Sequence, residues 1–470
     1  MRASYIAIAV AAAVLSGCTV GPNYKRPQVA VPATFRAPAP LPEQQAASLA
    51  DLKWFEVFHD DRLQQLIHTA LVENYDLQDA VARVQEARAN LGIVRSNQLP
   101  QLEASGALEL TRLSRDGQSP LPPSFVPSQN RNWGQVSLSL LSFEIDLWGR
   151  LRRSTEAARA TLLNAEENRR AVVSTLVSDV AADYFQLLEL DYELEISQRT
   201  LATRRESLRL VRERQGGGVA TRLDLRQAEQ LVSSAAESIP ALQQQIEQTE
   251  NRIALLLAHN PEGVARGRSL IEQAVPPEVP PGLPSALLDR RPDIRGAEQA
   301  LVAANANIGV AKAAYFPQIS LSGALGGQST SLANLFSGPS RAWSFVPQIT
   351  QPIFTGGRLK STVRVAEAER DRAQISYQRS IQTAFGEVSD ALIAHQRTHE
   401  SRLEQETLVT ALEDRKDLAY VRYRGGVDTQ LNALDADRDL FQAELTLAQI
   451  RYAELLSVVQ LYKALGGGWQ

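Results

Sequence analysis

The feature that most constrains the fold of this chain is an internal duplication in which matching residues lie 208 positions apart. The residues that recur at this offset are Gly218, Val219, Thr221 and Leu223, which match Gly426, Val427, Thr429 and Leu431. A second match, between residues 89–92 and 306–309, has an offset larger by nine residues, so the first copy carries nine extra residues between Leu102 and Gly149. Repeats of about 20–50 residues form solenoids, whereas so long a period indicates two half-molecules.

Each copy contains a turn at which one long helical pattern ends and another begins. We call residues 216–223 the first tip and residues 424–431 the second tip. Glycine gives the backbone the freedom to end a helix, and a threonine at position 221 or 429 can cap the helix that follows. The sequence therefore predicts one helical hairpin in each copy.

The helices that flank the tips are predicted to be long. Residues from Arg152 to about Gln215 contain no proline and would extend roughly 95 Å as a helix. The apolar residues that recur there every seven positions are Val173, Val180, Leu187, Leu194, Leu201 and Leu208. This spacing is typical of a coiled-coil seam. Pro240 lies inside the return helix and should kink it.

Segments without helical periodicity precede and separate the two copies. Residues 18–60 include a proline- and alanine-rich stretch that predicts an extended strap. From Trp54 a helical pattern begins that continues to about Gln98. Residues 260–284 contain six prolines and form a linker between the first repeat, 61–259, and the second, 285–470.

The N-terminus has the features of a secreted bacterial lipoprotein. Residues 1–17 contain a short apolar run that fits a signal peptide, and no later apolar run approaches the roughly 20 residues of a transmembrane helix. Cys18 is the only cysteine, which excludes an intrachain disulfide. The run from Leu15 to Cys18 resembles a lipoprotein cleavage site, which predicts a diacylglycerol and an N-acyl chain on Cys18. Thr19 at the next position favours the outer membrane.

Two β-hairpins are predicted, at about 101–148 and about 318–355, because apolar and polar residues alternate there. The alternation slips before Phe143, as a β-bulge would allow, and Pro347 should lie where its amide is unpaired. Such strands are expected in membrane barrels, although a small soluble sheet gives the same pattern. Four strands cannot close a barrel, and open edges are forbidden in lipid. Several chains must therefore share one barrel if the strands span a membrane.

The sequence contains no motif that carries catalysis. Nucleotide loops, metalloprotease motifs and nucleophile motifs are missing, and a formal net charge of −4 gives no reason to expect nucleic acid. His395 and His399 share a helical face but have no third ligand nearby, so packing or solvent contact is favoured over a metal site. We therefore expect neither an enzyme nor a cofactor.

The chain resembles the TolC-like outer-membrane factors, particularly their NodT/OprM lipoprotein branch. The resemblance is carried by residues 18–27 (CTVGPNYKRP), 291–294 (RPDI), 315–319 (YFPQI) and the paired tips. It implies a mainly α fold with a membrane β-barrel. Three chains would form a twelve-stranded barrel, four strands from each, continuous with a long twelve-helix periplasmic α-barrel. The linker at 260–284 would belong to a mixed equatorial region.

The resemblance also implies a function. It predicts a passive outer-membrane channel subunit of a tripartite efflux or export system in a Gram-negative bacterium. Its partners would be a periplasmic adaptor (membrane fusion) protein and an inner-membrane pump of the RND type. The alternative is a lipid-anchored periplasmic coiled-coil scaffold without a pore. The transported substrates cannot be read from the chain.

Two sets of site residues are predicted at the tips. Small exposed residues suited to adaptor docking are Gly217, Gly218, Val219, Gly425, Gly426 and Val427. Candidate gate residues are Arg222, Asp224, Tyr423, Arg424, Asp428, Asn432 and Asp435. Threefold symmetry would arrange the acids as rings that attract cations. The family often has a second aspartate where this chain has Asn432, which predicts lower cation selectivity. The alternative is that these acids only cap helices.

Overall fold

The computed structural model describes residues 19–37, 48–112, 114, 130–274, 282 and 284–469. Cys18 and the predicted signal peptide lie outside the described residues, so the lipidation of Cys18 stays a prediction.

Long helices and a single sheet make up the described chain. In order the elements are α1 (Trp54–Val57), α2 (Asp61–Glu73), α3 (Tyr75–Ser96), β1 (Leu102–Arg112), β2 (Asn130–Glu144), α4 (Arg150–Gly216), α5 (Arg222–Leu256), α6 (Leu287–Arg290), α7 (Pro292–Ala313), β3 (Gln318–Ser329), β4 (Arg341–Thr350), α8 (Arg358–Arg424) and α9 (Gln430–Ala464). Short 3-10 turns lie at Leu49–Asp51, Leu270–Glu272, Pro284–Ala286, Leu332–Asn334 and Gly338–Ser340.

The predicted duplication is confirmed in the lengths of the helices. α4 and α8 each contain 67 residues, and α5 and α9 each contain 35. The helices that precede the strands, α3 and α7, each contain 22 residues. α4 and α5 begin 208 residues before their counterparts. α5 continues through Pro240 without an interruption.

The chain divides into two compact units. The sheet unit comprises the described residues within 1–27, 84–164 and 297–377, and the hairpin unit comprises those within 28–83, 165–296 and 378–470. The core of the hairpin unit contains the predicted seam, in which Val180, Leu187 and Ile253 are fully buried. By length and composition α4 includes a stretch that could cross a membrane, contrary to the expectation from the sequence, but more than half of that stretch is buried against other helices.

The helical pattern after Trp54 is divided into three helices, where the sequence predicts a continuous one. The breaks occur because two side chains cap helices: Asp60 Oδ1 accepts from the amides of Arg62 and Leu63, and Asn74 Oδ1 accepts from the amide of Leu77 at 2.9 Å. Burial alone would raise the pKa of the Asp60 carboxyl, but its hydrogen bonds, led by the one from Gln273, outweigh burial and lower it.

The strands form an antiparallel sheet in the order β1-β2-β3-β4. The register shifts between Leu140 and Phe143, which confirms the bulge predicted from the phase of the alternation. One row across the sheet is Ala104, Leu138, Leu325 and Trp343, and these apolar residues share a face. The next row contains Ser105 and Ser137, whose hydroxyls lie 3.0 Å apart. The sheet therefore has one apolar face, whose large side chains are exposed, and one polar face.

The described part of the strap binds to α7 within the sheet unit. Arg26 donates from Nε and Nη2 to the Glu298 carboxylate at 2.7 and 2.6 Å, and the Tyr24 hydroxyl donates to it at 2.9 Å. The backbones of Gly21 and Gly309 approach so closely that a Cβ added at Gly21 would lie 2.5 Å from the Gly309 Cα. These contacts hold the residues that follow Cys18 against the helix that leads into β3.

Candidate gate and docking surface at the hairpin tips

The first tip is a glycine turn followed by a capped helix. Gly218 has φ of +76°, which favours glycine, and the amide of Val219 donates to the Arg214 carbonyl at 2.8 Å. Thr221 caps α5 by accepting from the Asp224 amide at 3.2 Å. Asp224 in turn accepts from the Thr221 amide at 2.7 Å and from the Thr221 hydroxyl at 2.8 Å. Asp224 thus forms a capping box, which is the alternative that the sequence left open.

The second tip repeats the turn but not the capping box. Gly426 has φ of +74°, and Thr429 caps α9 by accepting from the Asn432 amide at 3.4 Å. Asn432, which stands where the first tip has Asp224, instead donates from Nδ2 to Asp428 Oδ1 at 2.6 Å. Because position 432 carries an amide instead of a carboxylate, the first turn of α9 donates a hydrogen bond to Asp428.

Asp428 is the centre of the polar contacts at the second tip. Its Oδ2 accepts from Arg422 Nε at 3.0 Å, and its Oδ1 accepts from the Thr429 amide at 2.8 Å. The hydrogen bond from Arg422, followed by those from Asn432 and Thr429, lowers the pKa of Asp428. Asp428 is therefore a carboxylate at neutral pH that is partly compensated by Arg422, a residue that the sequence analysis missed.

The remaining candidate gate residues lie at separate positions around the tips. Tyr423 is half-buried, and the guanidinium of Arg214 lies over its ring at 4.7 Å, which links the second tip to the end of α4. Asp435 forms an ion pair with Arg438 at 3.2 Å. Arg222 and Arg424 are exposed. Within one chain the structure brings Asp428 and Asn432 together, and the rings that would form the gate stay a prediction.

The predicted docking residues are solvent-exposed at the ends of the hairpins. Val219 and Val427 are 71% and 68% exposed, and space is open beside Gly218 and Gly426. Large apolar side chains continue this surface into the first turn of the following helices, at Leu223 and Leu431. Each tip therefore presents apolar residues around an accessible backbone, a surface on which another helical hairpin can pack.

A buried ion pair that the sequence analysis missed joins the two hairpins above the tips. Arg204 of α4 donates from Nε to Asp437 Oδ2 of α9 at 2.7 Å, and the two side chains are 4% and 7% exposed. Arg204 also donates to the Leu231 carbonyl at 3.1 Å and lies 4.9 Å from the Phe441 ring. Arg204 follows Leu201 by three residues, which is a seam position. A charged residue at a seam position is the signal that could have identified the pair.

Two buried acids lie one helical turn apart on α4. Glu189 and Glu193 are both buried, and Gln449 of α9 donates to Glu193 at 2.8 Å. Burial, followed by the charge of Glu193 and a hydrogen bond with it, raises the pKa of Glu189 to about 8. Burial also raises the pKa of Glu193. The pair therefore holds a proton at neutral pH.

The two histidines that the sequence singled out have polar partners on α9. His399 Nδ1 lies 2.7 Å from Glu454 Oε1, and His395 Nδ1 lies 3.1 Å from Ser457 Oγ. Burial lowers the pKa of His395. Among the described residues no cluster of three or more potential ligands could hold a metal ion. These contacts are those of helix packing.

Comparison with known proteins gives the family of the chain. The model of a family described as "Outer membrane efflux protein" matches residues 66–259 and 283–467. The chain is 39% identical over 476 residues to the probable efflux pump outer membrane protein TtgC of Pseudomonas putida, covering 100% of this chain and 96% of that protein. It is 35% identical over 460 residues to outer membrane protein OprJ of Pseudomonas aeruginosa, covering 97% and 94%.

A solved channel has the same fold. The structure of the open state of the MtrE outer membrane channel of Neisseria gonorrhoeae matches with a TM-score of 0.86 and 34% identity, over 96% of this chain and 99% of that one. The mostly helical chain with a four-stranded sheet is consistent with a trimeric barrel. Channels of this kind are not enzymes. The chain therefore belongs to the outer membrane efflux protein family and is the outer-membrane channel subunit of an efflux system.

Proposed function

We propose that three copies of this chain form a channel that passively conducts drugs or other small molecules across the outer membrane. A periplasmic adaptor and an inner-membrane pump of the RND type would deliver them. The observation that carries this proposal is the four-stranded sheet, because one of its faces consists of apolar residues whose large side chains are exposed and its other face is polar. A soluble protein rarely exposes so continuous an apolar face, whereas a barrel strand in lipid requires one.

Adjacent residues on the two faces of β3 allow a matched test of the membrane assignment. Leu325 is on the apolar face and Ala324 on the polar face. An arginine on the lipid face of a barrel costs about 2–4 kcal/mol at the middle of the bilayer, and little when it faces the lumen. Leu325→Arg should therefore lower the amount of trimer in purified outer membranes, while Ala324→Arg should not. Equal amounts of trimer in the two variants would contradict a membrane-spanning sheet.

Conduction itself can be measured with the purified protein. In planar bilayers the trimer should give discrete conductance steps, and deletion of its gene should increase the susceptibility of the bacterium to exported drugs. A scaffold without a pore would give neither result. The specificity for substrates should change when the pump is exchanged and not when the channel is exchanged, because a passive channel does not select its cargo.

We further propose that the acids and Tyr423 near the tips close the channel at its periplasmic end. The supporting contacts are the Arg422–Asp428 ion pair and the Arg214–Tyr423 contact, which fix the end of α8 in place. Tyr423→Phe combined with Asp224→Ala should raise the resting conductance, and Asp435→Ala should reduce the preference for cations. Asp439→Ala is the control, since Asp439 lies on α9 like Asp435 and forms surface ion pairs with Arg415 of α8 and with Arg438. Unchanged conductance and selectivity would leave the acids as helix caps.

The exposed tips support a proposal for adaptor docking. A glutamate in place of Val219 or Val427 would place a charge on the apolar contact surface without straining the backbone, whereas a bulky residue at Gly218 or Gly426 would also be strained by the positive φ. Val427→Glu should abolish efflux while trimers persist, and Val427→Ala should keep most of it. Full drug resistance in both Val219→Glu and Val427→Glu would contradict docking at the tips.

Lipidation of Cys18 is proposed to sort the protein rather than to hold it in the membrane. One acyl chain binds a membrane only marginally, and even the three chains predicted on Cys18 do not hold a protein as firmly as a segment that spans the bilayer, so the barrel is the main membrane anchor. Cys18→Ala secreted with a cleavable signal peptide should still yield some trimer in the outer membrane. Recovery of that variant only as a soluble periplasmic protein would contradict the proposal.

A further inference from the structure

The sheet ends in two edge strands that belong to different copies of the duplication. β1, from the first copy, and β4, from the second, lie at opposite edges, and within the part of the chain that the structure describes each pairs with one strand only. β4 is exposed at every residue and β1 at all but one. Open edges cannot remain in lipid, so β4 of one chain must meet β1 of another if the proposed trimer is correct.

The duplication supplies a template for that contact inside the chain. β2 is the second strand of the first copy and β3 is the first strand of the second copy, and these two strands are paired. In the proposed ring, β4 and β1 of the partner subunit are again a second and a first strand. The in-chain β2–β3 pairing is therefore the pseudo-equivalent of the pairing between chains.

Corresponding residues follow from the two hairpins. Leu102 pairs with Leu140 in the first hairpin, and Ile319 pairs with Ile349 in the second. Leu102 thus corresponds to Ile319, and Leu140 to Ile349. By the same spacing, Gly323 corresponds to Gly106. Since Leu140 pairs with Gly323 in the template, Ile349 should pair with Gly106 of the partner subunit.

We propose, on the basis of the trimer proposed above, that β4 pairs with β1 of the partner subunit in this register. Ile349 then lies opposite Gly106 of the partner subunit, Phe345 opposite Leu110 of the partner subunit, and Gln348 opposite Ala107 of the partner subunit. β4 has no counterpart of the extra residue at the β2 bulge, so this ladder is straight. On one face Phe345 and Ile349 meet Leu110 of the partner subunit and Gly106 of the partner subunit, and a slip of one residue would reverse the faces.

The segment after β4 supports this register. Ile353 and Phe354 are 90% and 91% exposed, although both are large and apolar. The first-copy counterpart of Ile353 is Ile145, whose amide donates to the Ile319 carbonyl at 2.9 Å and whose side chain is partly covered within the chain. The same register places Ile353 opposite Leu102 of the partner subunit, which is also exposed in the single chain. Within a single chain, Ile353 of the second copy therefore remains exposed, whereas its counterpart Ile145 in the first copy is partly covered by neighbouring residues.

The side chains at positions 348 and 107 are suited to a disulfide test. The Leu141 amide donates at 2.9 Å to the carbonyl of Gln101, the residue that precedes β1. In an antiparallel strand the backbone N–H and C=O groups of alternate residues point to the same neighbour, so those of Ser139 also point to β1. The template pair Ser139–Ala324 therefore lies between hydrogen-bonded pairs of β2 and β3. In such a pair the Cα atoms are about 4.5 Å apart, within disulfide range, whereas residues shifted by two positions are about 7–8 Å apart.

The experiment compares three double variants in isolated outer membranes under mild oxidation. Gln348→Cys with Ala107→Cys should convert most chains into disulfide-linked multimers that reducing agent separates. The shifted pairs, Gln348→Cys with Ser105→Cys and Gln348→Cys with Glu109→Cys, should remain at the level of the unsubstituted protein. For each variant with one of these cysteines, crosslinking through amines measures trimer formation independently of any disulfide.

The outcomes separate the register from the trimer. Intact trimers that crosslink through a shifted pair, or through none of the three pairs, would overturn the proposed register and leave the channel function standing. Loss of trimer in the unsubstituted protein would overturn the proposed trimer. If a variant at position 348 does not assemble, Ser344→Cys with Thr111→Cys tests the same register four residues away on the same face.

Discussion

Removal of one carboxylate, in Asp437→Ala, should loosen the helices above the tips. Asp437 is the only acid within hydrogen-bonding distance of Arg204 among the described residues, and both side chains are almost fully buried. In the variant the guanidinium would keep its contacts with the Leu231 carbonyl and the Phe441 ring, neither of which carries a negative charge. A buried charge whose partner is removed costs about 3–5 kcal/mol, because its lost hydration is no longer offset.

This free energy corresponds to a change in the local opening equilibrium of about two to four orders of magnitude. Hydrogen exchange of the assembled protein, read by mass spectrometry in the segments around Arg204 and Asp437, measures that equilibrium directly. Amides of α4 and α9 in these segments should exchange faster by this factor. The conductance should also become noisier, since α9 leads directly from the second tip.

Two further variants decide whether burial is the cause. Asp439→Ala, two residues further along, removes surface ion pairs with Arg415 and Arg438, each worth about 1 kcal/mol or less, and should change exchange little. The double variant Arg204→Met with Asp437→Leu removes both charges and should restore slow exchange. The reasoning is refuted if Asp437→Ala behaves like Asp439→Ala, or if the double variant exchanges as fast as Asp437→Ala.

Three other predictions concern single carboxyl groups. The pKa of Glu189 in the folded protein is about 8, above the ordinary value of 4.5, so the folded protein loses stability as the pH rises from about 4.5 to about 8. In thermal unfolding, Glu189→Gln should remove much of that loss. The pKa of Asp60 is lowered, so its contribution to the free energy of unfolding is present above pH 3.8 and is lost as the pH falls below it. Asp60→Asn should lower the free energy of unfolding by about 1–3 kcal/mol at neutral pH, and its stability should depend less on acid. Glu298→Gln should weaken the contacts of the strap with α7 and speed tryptic cleavage after Lys25, measured on the assembled protein.

Each of these predictions has an outcome that contradicts it. An equal slope of stability with pH in Glu189→Gln and the parent would show that Glu189 does not carry the proton. Equal acid sensitivity with and without Asp60 would assign the acid transition to other groups. Unchanged cleavage after Lys25 in Glu298→Gln would mean that the other contacts of the strap, such as those of Gly21 with Gly309 and of Asn23 with Arg153, are sufficient to hold it.

Several features of the fold could be predicted from the sequence because they depend on local or periodic information. The seven-residue spacing around Val180 and Leu187 predicts which residues are buried, and both are fully buried. The phase slip before Phe143 predicts the bulge in β2, since a strand keeps its side-chain alternation unless a residue is inserted. The prediction of one helix after Trp54 was wrong, because two capping side chains outweigh the apolar periodicity.

The candidate site could be predicted only in part. The glycines and threonines of the tips were identified because turn and cap chemistry lies within a few residues of chain. The contact of Arg214 with Tyr423 was not, because it joins residues of different copies. Asp224 and Asn432 occupy matching positions, yet one completes a capping box and the other binds Asp428. That difference required coordinates.

The sequence by itself determined the duplication, the lengths of the hairpins and the two faces of each strand, because these follow from spacing along one chain. Only the tertiary structure decided that Arg204 meets Asp437, 233 residues away, and that the strap binds Glu298, 272 residues from Arg26. The same is true of the pairing of β2 with β3 across the two copies. The physical reason is that a polar group is defined in sequence only by its own chemistry, whereas its partner is selected by the packing of helices and strands that brings it out of water.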